Sequence, residues 1–285
     1  MLRCLGQRYA ALVLGLTALL PSCDDGSGNG LTVVASFYSL AFAAEEVGGP
    51  DAEVLDLTPP GSEAHDVELS FRDRASLESA DLVVYLGDVG FQPQIERAVQ
   101  DATGEVVIAA PSVGEDDPHV WLDPVMFADM ADRVTDGFAR ADQEGAGSYR
   151  GRAEVLRDRL QTLHERYRAT LIDCRLNTIL VTHDAFGYLA DRYGLEQVGL
   201  AGLSPEGEPT SRSLVQAEEL VRDGDVQAVF YEETEEGGRI AETIGNDLSI
   251  PALPLATLES RPPRGTYLTA MEANLDSLAE GLQCG

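Results

Sequence analysis

Lysine is absent from this sequence: its 20 basic residues are all arginine, set against 49 aspartates and glutamates, for a formal net charge of −29. That excess excludes a nucleic-acid binder, which needs a basic face to neutralise phosphates. Aromatics are few, at 6% with a single tryptophan, yet hydrophobic residues reach 44%. The chain therefore reads as an ordinary core under an acidic, solvated surface rather than as a disordered segment. Such a surface favours cations and solubility without naming a partner. Long apolar runs are missing too. After Leu20 no stretch of about 18 apolar residues occurs, so no membrane span is expected in the body of the chain. Histidine is scarce, with four in 285 residues, and cysteine also numbers four. What these few residues sit beside is therefore informative.

The first residues, MLRCLGQRYAALVLGLTALLPSC, run from a basic start through an apolar stretch from Ala10 to Leu20, too short to span a bilayer comfortably. Residues 1–22 read as a secretion signal. Its end, Leu20-Pro21-Ser22-Cys23, resembles the lipobox of bacterial lipoproteins, in which the cysteine is lipidated and becomes the mature N-terminus. An ordinary cleaved signal with a chance cysteine is the alternative. Residues 23–30, Cys23 followed by the polar DDGSGNG, read as a flexible tether. The expected location is extracytoplasmic, anchored by the N-terminal lipid, in the periplasm or on the outer face of the cytoplasmic membrane. With Cys4 lost with the signal and Cys23 lipidated, Cys174 and Cys284 remain as a pair in an oxidising compartment. A disulfide between them would pin the last helix to the start of the second half; two buried free thiols are the other reading.

Short apolar, branched runs bounded by turn residues recur at LTVVAS (31–36), AEVLDL (52–57), DLVVYLG (81–87) and EVVIAA (105–110), with helical stretches between them. They recur at NTILVT (177–182), EQVGLA (196–201), VQAVFYE (226–232) and PALPL (251–255). This alternation predicts an α/β fold of two lobes, each a mostly parallel sheet flanked by helices. Between the two sets lies a long amphipathic stretch, YRGRAEVLRDRLQTLHERYRATLI, with apolar positions three and four apart and no proline. The expected division is an N-terminal lobe at 31–142, one long linking helix at 143–173 and a C-terminal lobe at 174–285. Thr210 or Ser211 is placed to cap a helix reaching Asp223, and a last helix is expected from Tyr267 to Leu282. Two lobes leave a cleft, and open parallel sheets bind ligands at the carboxyl ends of their strands.

One histidine, His164, lies within the long helix. The other three, His65 in SEAHDVE, His119 in DDPHVWLDP and His183 in VTHDAFG, each follow or end a strand-like region and have an aspartate within two residues: Asp66, Asp117 and Asp184. Neutral imidazole is the commonest metal ligand, and a nearby carboxylate can hold its other nitrogen and fix the tautomer. Taken singly, each is also well explained as a satisfied polar residue. No two are a helical turn apart, so a local zinc-finger or H-E-x-x-H site is excluded, and any meeting is in the cleft.

PGSEAHDVELSFRDRASLESADLVVYLG resembles the P-G-x-x-P-H-D-x-E segment and its continuation in the zinc- and manganese-type substrate-binding proteins of ABC transporters. DPHVWLDP and THDAFGYLADRYGLEQVGLAGLSPEGEP resemble that family's second and third ligand segments, and SFYSLA its usual opening. The resemblance implies two lobes joined by a rigid helix, and a metal held between them by His65, His119 and His183. It also implies delivery to a membrane ABC permease and a monomeric, non-enzymatic protein. Histidine at the third position is the zinc-type choice in this family, and three imidazoles are a borderline-soft set, so Zn2+ is expected ahead of Mn2+. Affinity should fall as pH drops through the imidazole range.

Two departures from the family pattern stand out. The aspartate of an L-D-P-L-E-G segment, often a fourth ligand, falls here on Ala256 in LATLES, which leaves water, Glu232 or Glu63 for that position. The histidine-rich loop of many zinc-type members is replaced by the short, acidic GEDD, whose Glu115 and Asp116 read as a solvated approach. Three histidines with an open position also describe a hydrolytic zinc enzyme, and a metal-dependent surface adhesin is a further association of the family.

Overall fold

The computed structural model describes residues 30–285 apart from 112, 114–116, 203–207 and 233–234. The signal segment, Cys23, Glu115 and Asp116 lie outside the described residues. The first half runs β1 (Leu31–Ala35), α1 (Tyr38–Gly48), β2 (Ala52–Asp56), α2 (Phe71–Ser79), β3 (Leu82–Tyr85), α3 (Pro93–Ala98), β4 (Glu105–Ile108) and α4 (Pro124–Ala141). A single helix, α5 (Ala146–Leu171), leads to the second half. There follow β5 (Thr178–Val181), α6 (Gly187–Tyr193), β6 (Glu196–Gly199), α7 (Ser211–Asp223), β7 (Val229–Tyr231), α8 (Glu235–Leu248), β8 (Ala252–Pro254) and α9 (Tyr267–Gly281).

Each half forms a four-stranded, wholly parallel sheet, in the orders β2-β1-β3-β4 and β6-β5-β7-β8. The two orders are the same permutation, and in each the chain reverses its direction of travel across the sheet beside the first strand. Loops leaving the carboxyl ends of the strands diverge there and leave a crevice. The interior strands β3 and β5 are buried along their whole length, as strands covered on both faces are, whereas the edge strands expose residues such as Leu55 and Ile108. In β1, Val33 points to one core and Val34 to another, the period of two that a strand imposes.

The inner faces share a core. Val33, Leu82 and Val84 of the first sheet and Ile179, Val181 and Phe230 of the second belong to one continuous apolar cluster with α1, α4, α5 and α9. Only the outer faces have cores of their own, around Val83 and Ile95 in one half and Leu180 and Val198 in the other. The α5 helix buries Tyr149, Ala153, Leu156, Leu160, Leu163, Tyr167 and Leu171, three and four apart along one stripe. Arginines extend from its other faces. Arg152 donates to the carbonyls of Val47 and Gly48 at the end of α1, Arg159 pairs with Glu46, and Arg166 reaches Glu272 on α9. Exposed ion pairs of this kind contribute little singly, so it is the shared apolar stripe that joins the halves.

Cys174 and Cys284 form a disulfide, and Leu176 N–H donates to Leu282 O beside it (3.1 Å). The end of α9 is thereby fixed to the start of the second sheet. The α7 helix begins as expected at Thr210, whose hydroxyl accepts from Ser213 N–H. Among the described residues, no helix is long and apolar enough to cross a membrane.

Candidate metal centre

All five candidate side chains leave the carboxyl ends of strands: His65 after β2, His119 after β4, His183 after β5, Glu232 after β7 and Glu259 after β8. They therefore face the crevice between the sheets, from both sides.

His119 and His183 are the fixed members. His119 is 1% exposed; its Nδ1 lies 2.9 Å from Asp117 Oδ1, which also accepts the backbone N–H of His119. The short turn that follows places Trp121 beneath it, with ring centroids 5.1 Å apart, and ends at Asp123. Asp123 caps α4 through Val125 N–H and takes Arg192 Nε of α6 at 2.7 Å, a contact from one half to the other. His183 is 2% exposed and holds Glu232 Oε1 on its Nδ1 at 3.1 Å. In both rings a carboxylate on Nδ1 turns Nε2 toward the crevice, and the two rings meet edge-on at 5.0 Å.

Glu259 completes this group, and the sequence reading did not single it out. It is 1% exposed, with Oε2 accepting the backbone N–H of Ala64 at 2.8 Å and Oε1 lying 3.3 Å from His119 Nε2. The preceding residue, Leu258, holds a left-handed backbone (φ 59°), which costs a branched side chain on the order of 1 kcal/mol. The surrounding hydrogen bonds offset that cost. Trp121 Nε1 donates to Thr257 O, Ser39 Oγ to Leu258 O, and Tyr38 N–H to Glu259 O. A loop of the second half is thus clamped onto the first with its glutamate pointing inward. The ligand atoms of His119, His183 and Glu259 all lie within 4.8 Å of one another. The signal for Glu259 was in LATLES itself, since the glutamate of the L-D-P-L-E-G pattern falls on it. Ala256, at the aspartate position, is instead held by its backbone, through Asn274.

His65 is at the rim. It groups with Glu63 and Asp66 rather than with the buried three; its Nε2 lies 2.9 Å from Glu63 Oε2 and its Nδ1 3.3 Å from Asp66 Oδ1. Of the other expected residues, Glu232 braces His183. Asp184 lies against Gly199 and accepts from Gln197 Nε2 at 3.3 Å.

The electrostatics are those of a site built for a cation. Burial opposes a proton on His119, but Asp117 and Glu259 outweigh it and raise its pKa to about 9. Burial likewise opposes a proton on His65, and Glu63, Glu259 and Asp66 raise it to about 9. Burial alone would push Glu259 up; the close approach of His119 and the charges of His119, His65 and His183 hold it below the ordinary glutamate range. Burial raises Glu63, with the charges of Glu232 and Glu259 adding to the effect against the opposing close approach of His65. Among the described residues, six buried side-chain atoms lack a hydrogen-bond partner, and four of them are Glu63 Oε2, His65 Nε2, His119 Nε2 and Glu259 Oε1. Orphaned polar atoms are costly in a folded interior, and four converging on one crevice mark a place for a ligand.

Comparison with known proteins gives the same reading. The high-affinity zinc uptake system protein ZnuA of Bacillus subtilis is 29% identical, over 90% of this chain and 89% of its own. The zinc-binding lipoprotein AdcA of Streptococcus pneumoniae strain R6 is 27% identical over 96% of this chain, which spans 61% of that longer protein. Among solved structures, the laminin-binding protein of Streptococcus agalactiae, described as a bifunctional protein with adhesin and metal transporting activity, superimposes with a TM-score of 0.82. It is 30% identical and covers 89% of this chain and 100% of its own. The Zn(II)-bound ZnuA-like domain of S. pneumoniae AdcA gives a TM-score of 0.78 at 27% identity, over 89% of this chain and 99% of that domain. Residues 33–281 match the family described as zinc-uptake complex component A, periplasmic, and the chain belongs to that family.

Proposed function

We propose that this protein captures Zn2+ outside the cytoplasm and hands it to an ABC permease, binding the ion with His65, His119, His183 and Glu259. The observation that carries the reading is the pair of orphaned atoms on His119 and Glu259, grouped with His183, beside the orphaned His65 Nε2 of the Glu63–His65–Asp66 group. Three imidazoles and one carboxylate make a closed tetrahedral set suited to zinc over the harder manganese ion. A closed set also speaks against a hydrolytic zinc, which keeps one position for water; here Glu259 takes that position. Binding and release, not turnover, are what such a site does, in keeping with a family of substrate-binding proteins. Lipid anchoring at Cys23 fits the relatives that are named lipoproteins.

Ligands from both halves make the ion a bridge, so bound zinc stabilises the folded chain by mass action. The test is a competitive titration of chelator-stripped protein with zinc and manganese, followed by melting. One zinc per chain, a preference for zinc and a raised melting temperature are expected. No zinc uptake, or an unchanged melting curve in excess zinc, would overturn the reading.

A further inference from the structure

The ligands differ in how far they stand from solvent. The side chains of Glu63 and His65 are 22% and 20% exposed, whereas those of His119 and Glu259 are 2% exposed. Glu63 and Glu259 line one cavity of about 410 Å3, together with Glu232, Ser62, Thr257 and Arg261. Glu63 Oε2 and His65 Nε2 lie 2.9 Å apart, and neither has a hydrogen-bond partner. With Asp66 they offer three ligand atoms within 4.8 Å of one another. Glu259, which lines the same cavity, has its Oε1 buried and unpartnered 3.3 Å from the likewise unpartnered His119 Nε2.

We propose that Glu63, with His65 and Asp66, forms an outer docking site for the hydrated divalent cation, from which it passes to His119, His183 and Glu259. A carboxylate oxygen replaces a water of the arriving ion, and His65 is its first nitrogen ligand. As the buried ligands engage, His65 Nε2 stays with the ion and Glu63 is released. No bond is oxidised or reduced; water and carboxylate oxygens are exchanged for imidazole nitrogens. This inference rests on the proposed zinc site and assigns its order of filling.

A group that holds the ion only on the way in also holds it on the way out. Glu63→Gln should therefore slow zinc association and chelator-driven dissociation together, each about tenfold, and leave Kd within about threefold. Stopped-flow mixing of chelator-stripped protein with zinc reads both rates. Glu63→Asp, which keeps the carboxylate, should recover part of the rate. In about 0.5 M salt the ratio of wild-type to variant rates should persist, because direct coordination is screened far less than long-range steering. In His119→Ala/His183→Ala the outer site alone should remain, binding zinc at least about 100-fold more weakly than wild type and losing it when Glu63→Gln is added. Unchanged rates in Glu63→Gln, faster dissociation alone, or a rate effect abolished by salt would overturn the proposal, as would residual binding in the double variant that ignores Glu63→Gln. Wild-type protein that takes up no zinc would instead refute the proposed function.

Discussion

Two kinds of histidine face the same crevice. His119 and His183 each have a carboxylate on Nδ1, from Asp117 and Glu232, are almost fully buried, and leave the loops and strand ends that flank the shared core. His65 stands on the loop after β2, between Glu63 and Asp66, with a fifth of its side chain exposed. The difference teaches that preorganisation is unequal within one site. The braced rings are held in place before an ion arrives, while the rim ring has room to change partners. Burial and a hydrogen-bonded Nδ1 are what separate the two, since the residue type is the same.

The largest test of that contrast is to delete each ring. His119→Ala or His183→Ala should weaken zinc binding by about 1,000-fold or more, and His65→Ala by about 10- to 100-fold, measured by competition with a chelating dye. Equal losses at the three positions would break the distinction. Removing the braces sharpens it further. Asp117→Asn and Glu232→Gln should each cost about 10- to 100-fold in zinc affinity, while Asp66→Asn, beside the rim histidine, should cost less than either.

Acidity offers a third handle. His65 and His119 carry folded pKa values of about 9, above their ordinary value near 6.5. Their protons therefore stabilise the metal-free fold, fully below about pH 6.5, and this contribution is lost as pH rises through about 9. The melting temperature of the metal-free protein should fall across that window, on the order of 5 °C, read by calorimetry. Zinc takes neutral imidazoles, so its uptake displaces these protons. Affinity should then climb with pH by up to about tenfold per unit for each proton displaced, levelling off above about 9. The carboxylates thus move the working range upward from that of free imidazole. The smallest effect on binding should come from the far end of the molecule. Cys174→Ala/Cys284→Ala should lower stability by about 2–5 kcal/mol in denaturant titration, yet leave zinc affinity unchanged.

Much of this could be read along the chain because the strands are short apolar runs bounded by turn residues, and because ligands leave their carboxyl ends. The eight strand-like runs correspond to β1–β8; His183 falls just beyond β5, and His65 and His119 lie on the longer loops that leave β2 and β4. Glu259 escaped although the glutamate of the L-D-P-L-E-G pattern falls on it, because nothing in its local sequence sets it apart among 49 acids once the aspartate of that pattern is replaced by Ala256. Its role depends on Leu258, Trp121 and Ser39, which meet only in the fold. Nor could periodicity show that the inner faces of both sheets share one core, since an apolar stripe says that a helix is buried and not against what. The rim position of His65 was hidden for a similar reason: spacing gives a loop's length, not how far it stands from its neighbours.

The central claim is the ligand set itself, and X-ray absorption at the zinc edge of the loaded protein addresses it directly. Wild type should show three imidazole nitrogens and one oxygen at distances normal for tetrahedral zinc, about 2.0–2.1 Å for nitrogen. Glu259→Gln should keep the three imidazoles while the oxygen shell is replaced or lengthened. Fewer than three imidazoles in wild type, or an oxygen shell indifferent to Glu259→Gln, would contradict the account.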